Sequence, residues 1–353
     1  MIKIINSVAL FVALTCGMCM AQEVNDKPWT ENWSPTVHGP DDRRGSLNYI
    51  TQTSVLRAMT LVKQGKTATL GKVYERTMPL VGNRNWKLMM PGGPTEGPFG
   101  DNRIVYNIDY LCTEIAQVGT QIDGPAHIGI RTSRGDYYYN ANMGNEVYDS
   151  TGFKEIGVEK LGETGIVTRG ILLDATAYRN LERLPVPSGK KNDPGVITST
   201  DIRNMLMRQN IAPIQTGDAV FLYTGHGDLW GGPDWNGMAD AAKEKNRQLF
   251  NSGEPGFDMS ACEYLQESKV SIWGSDTSAS EAMPDLVNIR MESEISDLFP
   301  CHVYMLTQHG VWNMENLDFS QLLADGVYEF VFAWSPLKIK GATGSPGNPI
   351  AIY

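Results

Sequence analysis

Between residues 117 and 127 the chain gathers side chains with the chemistry of a cation site. Gln117, Gln121, Asp123 and His127 offer two amide oxygens, a carboxylate and an imidazole within eleven residues. Side chains alternate between the two faces of a strand, so an extended run would turn Gln117, Gly119, Gln121 and Asp123 the same way. Gly119 would leave space between the two amides, and Pro125 would break the strand and put His127 in the loop beyond. Such an oxygen-rich set suits a divalent metal ion. The same residues also suit a solvated strand face, and spacing alone leaves both readings open.

The sequence holds five histidines, His38, His127, His226, His302 and His309. His302 and Glu315 bracket a short segment and add a second imidazole and carboxylate. A core histidine at a strand start and an acidic residue supporting the next helix would look the same. His226 sits in a Gly-His-Gly-Asp turn just before Trp230 and Trp235. We place His226 and Trp230 at a pocket rim as substrate-binding residues, beside the alternative of a histidine that merely stabilises its turn. Trp33 and Trp86 are candidates to stack on an unsaturated substrate, although tryptophans more often build cores. No Gly-x-Ser-x-Gly elbow is present, which argues against a serine triad of the α/β-hydrolase kind. No phosphate-cradling glycine motif supports nucleotide chemistry.

Composition narrows the partners. The formal charge is −10 with 40 acidic and 30 basic residues, so no basic stripe awaits nucleic acid. Residues 1–21 read as a signal peptide: Lys3, a mostly apolar run over 4–20, and small residues before a cut after Ala21. The run falls short of the roughly 20 residues of a membrane span and is interrupted by Asn6 and Ser7. Residues 22–353 are then the mature part, expected in the periplasm or secreted, with no membrane partner. Cleavage leaves Cys112, Cys262 and Cys301. An oxidising compartment permits a disulfide, but an odd number favours three small buried apolar side chains.

The elements that must position these residues alternate between short β-branched runs and amphipathic helices, which predicts an α/β fold with one mixed sheet system. Helices are expected over 53–64, with Thr53 as cap, 200–209, about 239–250, 259–267 behind Asp258, and 319–324. Strands are expected over 68–74, 104–110, 170–173, 219–223, 270–273 and 328–332. Loops rich in Gly and Pro at 83–102, 184–194 and 230–258 read as lids or binding loops of a single domain.

With these residues in place, the chain resembles the cyclase family, which includes bacterial kynurenine formamidases. Residues 117–127 are similar to the family signature His-x-Gly-Thr-His-x-Asp-x-Pro-x-His, with glutamine at the first two histidine positions. Arg169 to Asp174, Gly217 to Gly225 and Pro336 to Pro346 are similar to further family blocks. Gly39 to Asn48 and Gly274 to Thr277 fit its longer members. The resemblance implies a single domain with a mixed, partly barrel-like β-sheet core flanked by helices, the swivelling β/β/α cyclase-like fold. It also implies a homodimer or homotetramer.

The resemblance further implies roles. Gln117 and Gln121 stand where the formamidases place metal-binding histidines, and Asp123 matches the metal-binding carboxylate. His127 matches the proton donor and acceptor, and His302 and Glu315 the ligands of the second half, Glu315 counting also as catalytic. The glutamine pair resembles a variant branch that includes trans-dienelactone hydrolase. A divalent ion, zinc or manganese foremost, would activate water and polarise a carbonyl, and His127 would shuttle the proton. The expected reaction on a small-molecule substrate is hydrolysis of a lactone, cyclic amide or related C–O or C–N bond. The alternatives are a cyclase or dehydratase acting on an unsaturated acid, and a periplasmic ligand-binding protein that has lost catalysis.

Overall fold

The computed structural model describes residues 33–284 and 298–353. The expected leader, 1–21, lies outside the described residues. Nine strands form one curled half-barrel sheet: β1 (Thr67–Thr69), β2 (Gln121–Asp123), β3 (Ile166–Asp174), β4 (Ala219–Tyr223), β5 (Ile272–Ser275), β6 (Trp312–Glu315), β7 (Glu329–Trp334), β8 (Gly344–Pro346) and β9 (Ile350–Ile352). Their order is β1-β9-β7-β3-β4-β5-β6-β2-β8. The four central strands β3, β4, β5 and β6 run parallel, and every other pairing is antiparallel. The architecture is the mixed, partly barrel-like α/β sheet that the sequence and its resemblance implied.

Parallel neighbours need long crossovers, and these carry the helices. Helix α1 (Gln52–Met59) precedes the sheet, and α2 (Ser199–Arg208) joins β3 to β4. Helices α3 (Asp240–Phe250) and α4 (Met259–Glu267) join β4 to β5. A single helical turn, α5 (Pro300–His302), runs on as π-helix over Val303–Gln308 before β6, and α6 (Ser320–Ala324) follows β6.

Alternation along the strands fills both faces. Ile171, Leu173, Val220, Leu222 and Trp273 pack against Ile202, Met205 and Leu206 of α2 and Ala261 and Leu265 of α4. Leu172, Phe221, Trp312, Met314, Phe330 and Phe332 point to the opposite face, where Phe319 and Leu322 join them. Each fully buried side chain of this size contributes about 1.5–3 kcal/mol, which makes these two layers the main stabilising term.

Several expected boundaries move. Thr51, not Thr53, caps α1, in a reciprocal box with Ser54, and the helix stops at Met59. The expected strand 68–74 is only Thr67–Thr69, and 104–110 divides into Ile104–Tyr106 and Tyr110–Thr113. Those two pieces pair with Glu96–Phe99 and Trp86–Met89 respectively, the first ladder nested inside the second, so the glycine-rich stretch after residue 83 is one long two-stranded arm. This arm leaves Leu88, Met90, Phe99, Ile104, Val105 and Leu111 exposed. The cysteines correct the expectation of three buried apolar residues. Cys262 of α4 and Cys301 of α5 form a disulfide, and Cys112 is an exposed thiol on the arm.

Candidate metal centre

The centre is built on two antiparallel strands. In the pairing of β2 with β6, Asp123 stands opposite Asn313 and Gln121 opposite Glu315. Side chains directly opposite each other, and those two residues apart, share a face. These four polar side chains therefore project together, while Ile122 and Met314 between them enter the core. The expectation of an extended run from Gln117 does not hold. Only residues 121–123 are strand, and Gln117 and Gly119 have φ of 64° and 66°. The left-handed backbone folds the segment back, so Gln117 reaches Asp123 from the turn. The space beside Gly119 is taken by Tyr74, whose ring would lie 2.5 Å from a Cβ built there.

A third element supplies the imidazole. His302 enters from α5, not from a strand start, and lies within 3.4 Å of Glu315 Oε1 through Nε2. One donor atom each from Asp123, His302 and Glu315 fall within 4.8 Å of one another, and all three residues are buried. Gln117 Nε2 donates to both Asp123 oxygens at 2.9 and 2.8 Å and lies 3.1 Å from His127 Nε2. Gln121 Nε2 donates to Glu315 Oε2 at 2.6 Å. Its Oε1 accepts the backbone N–H of Gln117, which turns the amide nitrogen toward the carboxylates. Ligation through Gln121 Oε1 would require that amide to turn over.

Burial raises the Glu315 pKa, and the neighbouring Asp123 charge raises it further against the opposing hydrogen bonds from His302 and Gln121. Burial disfavours a charged His302, but the carboxylates of Glu281 and Glu315 outweigh it and raise its pKa. The cluster thus draws positive charge into a buried space between two carboxylates. That, with an imidazole and two oxygen ligands converging, is what a divalent cation needs, so the donor set fits one. His127 differs: burial lowers its pKa against the attraction of Asp123. That direction favours the neutral ring, whose Nε2 lies beside the Gln117 amide.

The structure thus brings Gln117, Gln121, Asp123, His127, His302 and Glu315 together. It does not bring His226 or Trp230 to a rim, and that expectation is corrected. His226 is 1% exposed, its Nε2 bonds the Phe250 carbonyl, and its ring packs on Phe250. Trp230 is equally buried and packs with Met78, Val118 and Trp235. The Gly-rich turn sits inward because the buried Lys72 ammonium donates to the carbonyls of Gly227 and Trp230. Trp86 packs against Tyr74 on the wall of a cavity of about 580 Å³ beside residues 346–348.

Two site residues escaped sequence reasoning. Asn313 donates to Glu315 Oε1 at 2.7 Å and lies 3.2 Å from His302 Nε2. Its position two residues before Glu315 would have marked it, had 312–315 been read as a strand. Glu281, which meets His302 Nδ1, carried no sequence signal.

Comparison with known proteins gives consistent results. The Cyclase family model matches residues 62–282. A crystal structure described as a novel cyclase is 26% identical, covering 90% of this chain and 96% of its own, with a TM-score of 0.71. Isatin hydrolase A from Ralstonia solanacearum is 18% identical, covering 86% and 97%, with a TM-score of 0.54. Isatin hydrolase A from Labrenzia aggregata, bound to benzyl benzoate, is 17% identical, covering 81% and 93%, with a TM-score of 0.53. No curated protein matches.

Proposed function

The chain belongs to the cyclase family, and from that premise we propose that it is an exported hydrolase that opens a lactone, cyclic amide or related carbonyl C–O or C–N bond with the help of a divalent cation, zinc or manganese foremost. The observation that carries the reading is the convergence of Asp123, His302 and Glu315 in a buried space, with His127 Nε2 3.9 Å from Asp123 Oδ2. Those three residues would hold the ion, which when bound supplies Lewis-acid polarisation of a carbonyl and a more acidic water.

The remaining steps belong to the chain's own side chains. His127 accepts the proton of the attacking water and returns it to the departing oxygen or nitrogen, so no net proton is consumed. Gln117 holds the Asp123 carboxylate with both oxygens occupied and keeps His127 Nε2 beside it. Gln121 and Asn313 grip the two oxygens of Glu315, fixing the carboxylate without neutralising it. This preorganisation spares the site reorientation during reaction.

The names of the two isatin hydrolases support a cyclic amide as the first substrate class to try. The Cys262–Cys301 disulfide supports export, since such bonds persist in oxidising compartments. The exposed apolar side chains of the arm would give a homodimer or homotetramer a surface to bury.

The test is elemental analysis of the purified protein, followed by a turnover screen of lactones and cyclic amides, isatin included. About one divalent ion per chain, lost with activity in Asp123→Ala, is expected. Hydrolysis that persists at full rate in the chelated protein would overturn the proposal.

A further inference from the structure

We propose that Glu281 is the positioning residue of the centre, fixing the imidazole of His302 so that Nε2 is the nitrogen offered to the cation. The inference rests on the reading that Asp123, His302 and Glu315 hold that ion. Glu281 is buried at 2% exposure and lies outside the group of residues that converge on the proposed ion. Its carboxylate makes three contacts with the start of α5. Oε2 accepts the backbone N–H of Cys301 at 3.0 Å, and Oε1 accepts that of His302 at 3.1 Å. Oε1 also meets His302 Nδ1 in a short hydrogen bond.

Capping alone does not account for this arrangement. Any short acceptor satisfies two free N–H groups at a helix start. Here the same carboxylate also reaches the side chain, and the contact has a chemical consequence. A hydrogen on Nδ1 shared with a carboxylate leaves Nε2 as the lone-pair nitrogen and raises its basicity as a ligand. Nε2 is the nitrogen that faces Glu315 Oε1 at 3.4 Å.

Neighbouring groups pack around the ring in this placement. Trp273 and Phe299 stand edge-on to it with centroids at 5.6 and 5.3 Å. The preceding residue, Cys301, is tied to Cys262 on α4. The disulfide and Glu281 hold the backbone of His302, the two aromatic rings flank its ring plane, and Glu281 also meets Nδ1. Among the described residues Glu281 is the one that meets Nδ1, and the Asn313 amide, 3.2 Å from Nε2, is placed to donate to the opposite nitrogen.

The experiment compares the full-length protein with Glu281→Gln, and with Glu254→Gln as a control. Glu254 is another buried carboxylate, bonded to Ser278 and Ala279 and not to His302. Zn²⁺ and Mn²⁺ affinities are measured by calorimetry on chelator-treated protein, with the melting temperature recorded for each variant. Loss of an outer carboxylate partner typically weakens metal binding about 10–100-fold, which is the change expected for Glu281→Gln and not for Glu254→Gln. A folded Glu281→Gln that binds as tightly as the parent overturns the proposal.

A second measurement needs no variant. In ¹⁵N-labelled parent protein, the His302 Nδ1 proton should appear as a far-downfield imidazole resonance, both without metal and with Zn²⁺. Its absence overturns the proposal even if Glu281→Gln does not fold. Failure of the metal reading is distinct from either result, since the parent protein itself would then bind no ion.

Discussion

Gln121 and Glu315 face each other in register across two antiparallel strands, and the amide of one donates to the carboxylate of the other at 2.6 Å. The pair joins the motif segment to a residue 194 positions later in the chain. It also shows what a glutamine contributes at a position where the family signature has histidine. An amide with its oxygen engaged by Gln117 N–H offers the carboxylates a hydrogen-bond donor and no charge.

The first prediction concerns pH. Because burial depresses the His127 pKa below its ordinary value of 6.5, the neutral base form is present at pH 7 and is lost only as pH falls through that lowered value. kcat/KM should therefore be flat near pH 7 and decline only at a pH below the ordinary histidine range. His127→Gln should lower kcat by at least about 100-fold and abolish the acid limb assigned to this group. An unchanged pH–rate profile in the variant would remove His127 from proton transfer.

Acid sensitivity of the fold should trace in part to His226. Burial brings its pKa down to about 4 against an ordinary 6.5, so protonation favours the unfolded chain. Its neutral form carries no penalty above pH 6.5. Stability is lost as pH falls from there toward 4, by about 3 kcal/mol over the interval. Urea unfolding at pH 7 and pH 4.5 measures the loss, and a His226→Gln protein should show a smaller difference between the two.

Reduction of the disulfide should cost about 4 kcal/mol, the value expected for freeing a crosslink between residues 39 positions apart. Thermal unfolding with and without a thiol reductant checks this. Cys262→Ala with Cys301→Ala should melt at the temperature of the reduced parent, and should no longer respond to the reductant.

Gly119→Ala should destabilise the protein by about 2 kcal/mol or more. The residue sits at φ 66°, and an added Cβ would meet the Tyr74 ring at 2.5 Å. Tyr74 also bonds the Thr120 carbonyl, so the turn carrying Gln117 would shift with it. Denaturant unfolding gives the stability loss, and calorimetric titration should show weaker metal binding than in the parent. A variant of parental stability would mean that the ring moves aside freely.

The sequence alone determined much of the frame. Local propensity and capping fix α4 behind Asp258 and the buried stripe of α2, because those signals lie within one or two turns of chain. A continuous apolar run fixes β4 at Ala219–Tyr223 for the same reason. The motif at 117–127 named four of the residues that meet at the centre, and the pair His302 and Glu315 completed the cluster. Tertiary structure decided the rest. His226 and Trp230 looked exposed in a polar turn, yet buried Lys72, distant in sequence, draws their backbone inward. Glu281 meets His302 across 21 positions of chain, a contact that no local pattern announces. Asn313 and Asp123 are partners only through strand register, which depends on long-range pairing and leaves no trace in either local segment.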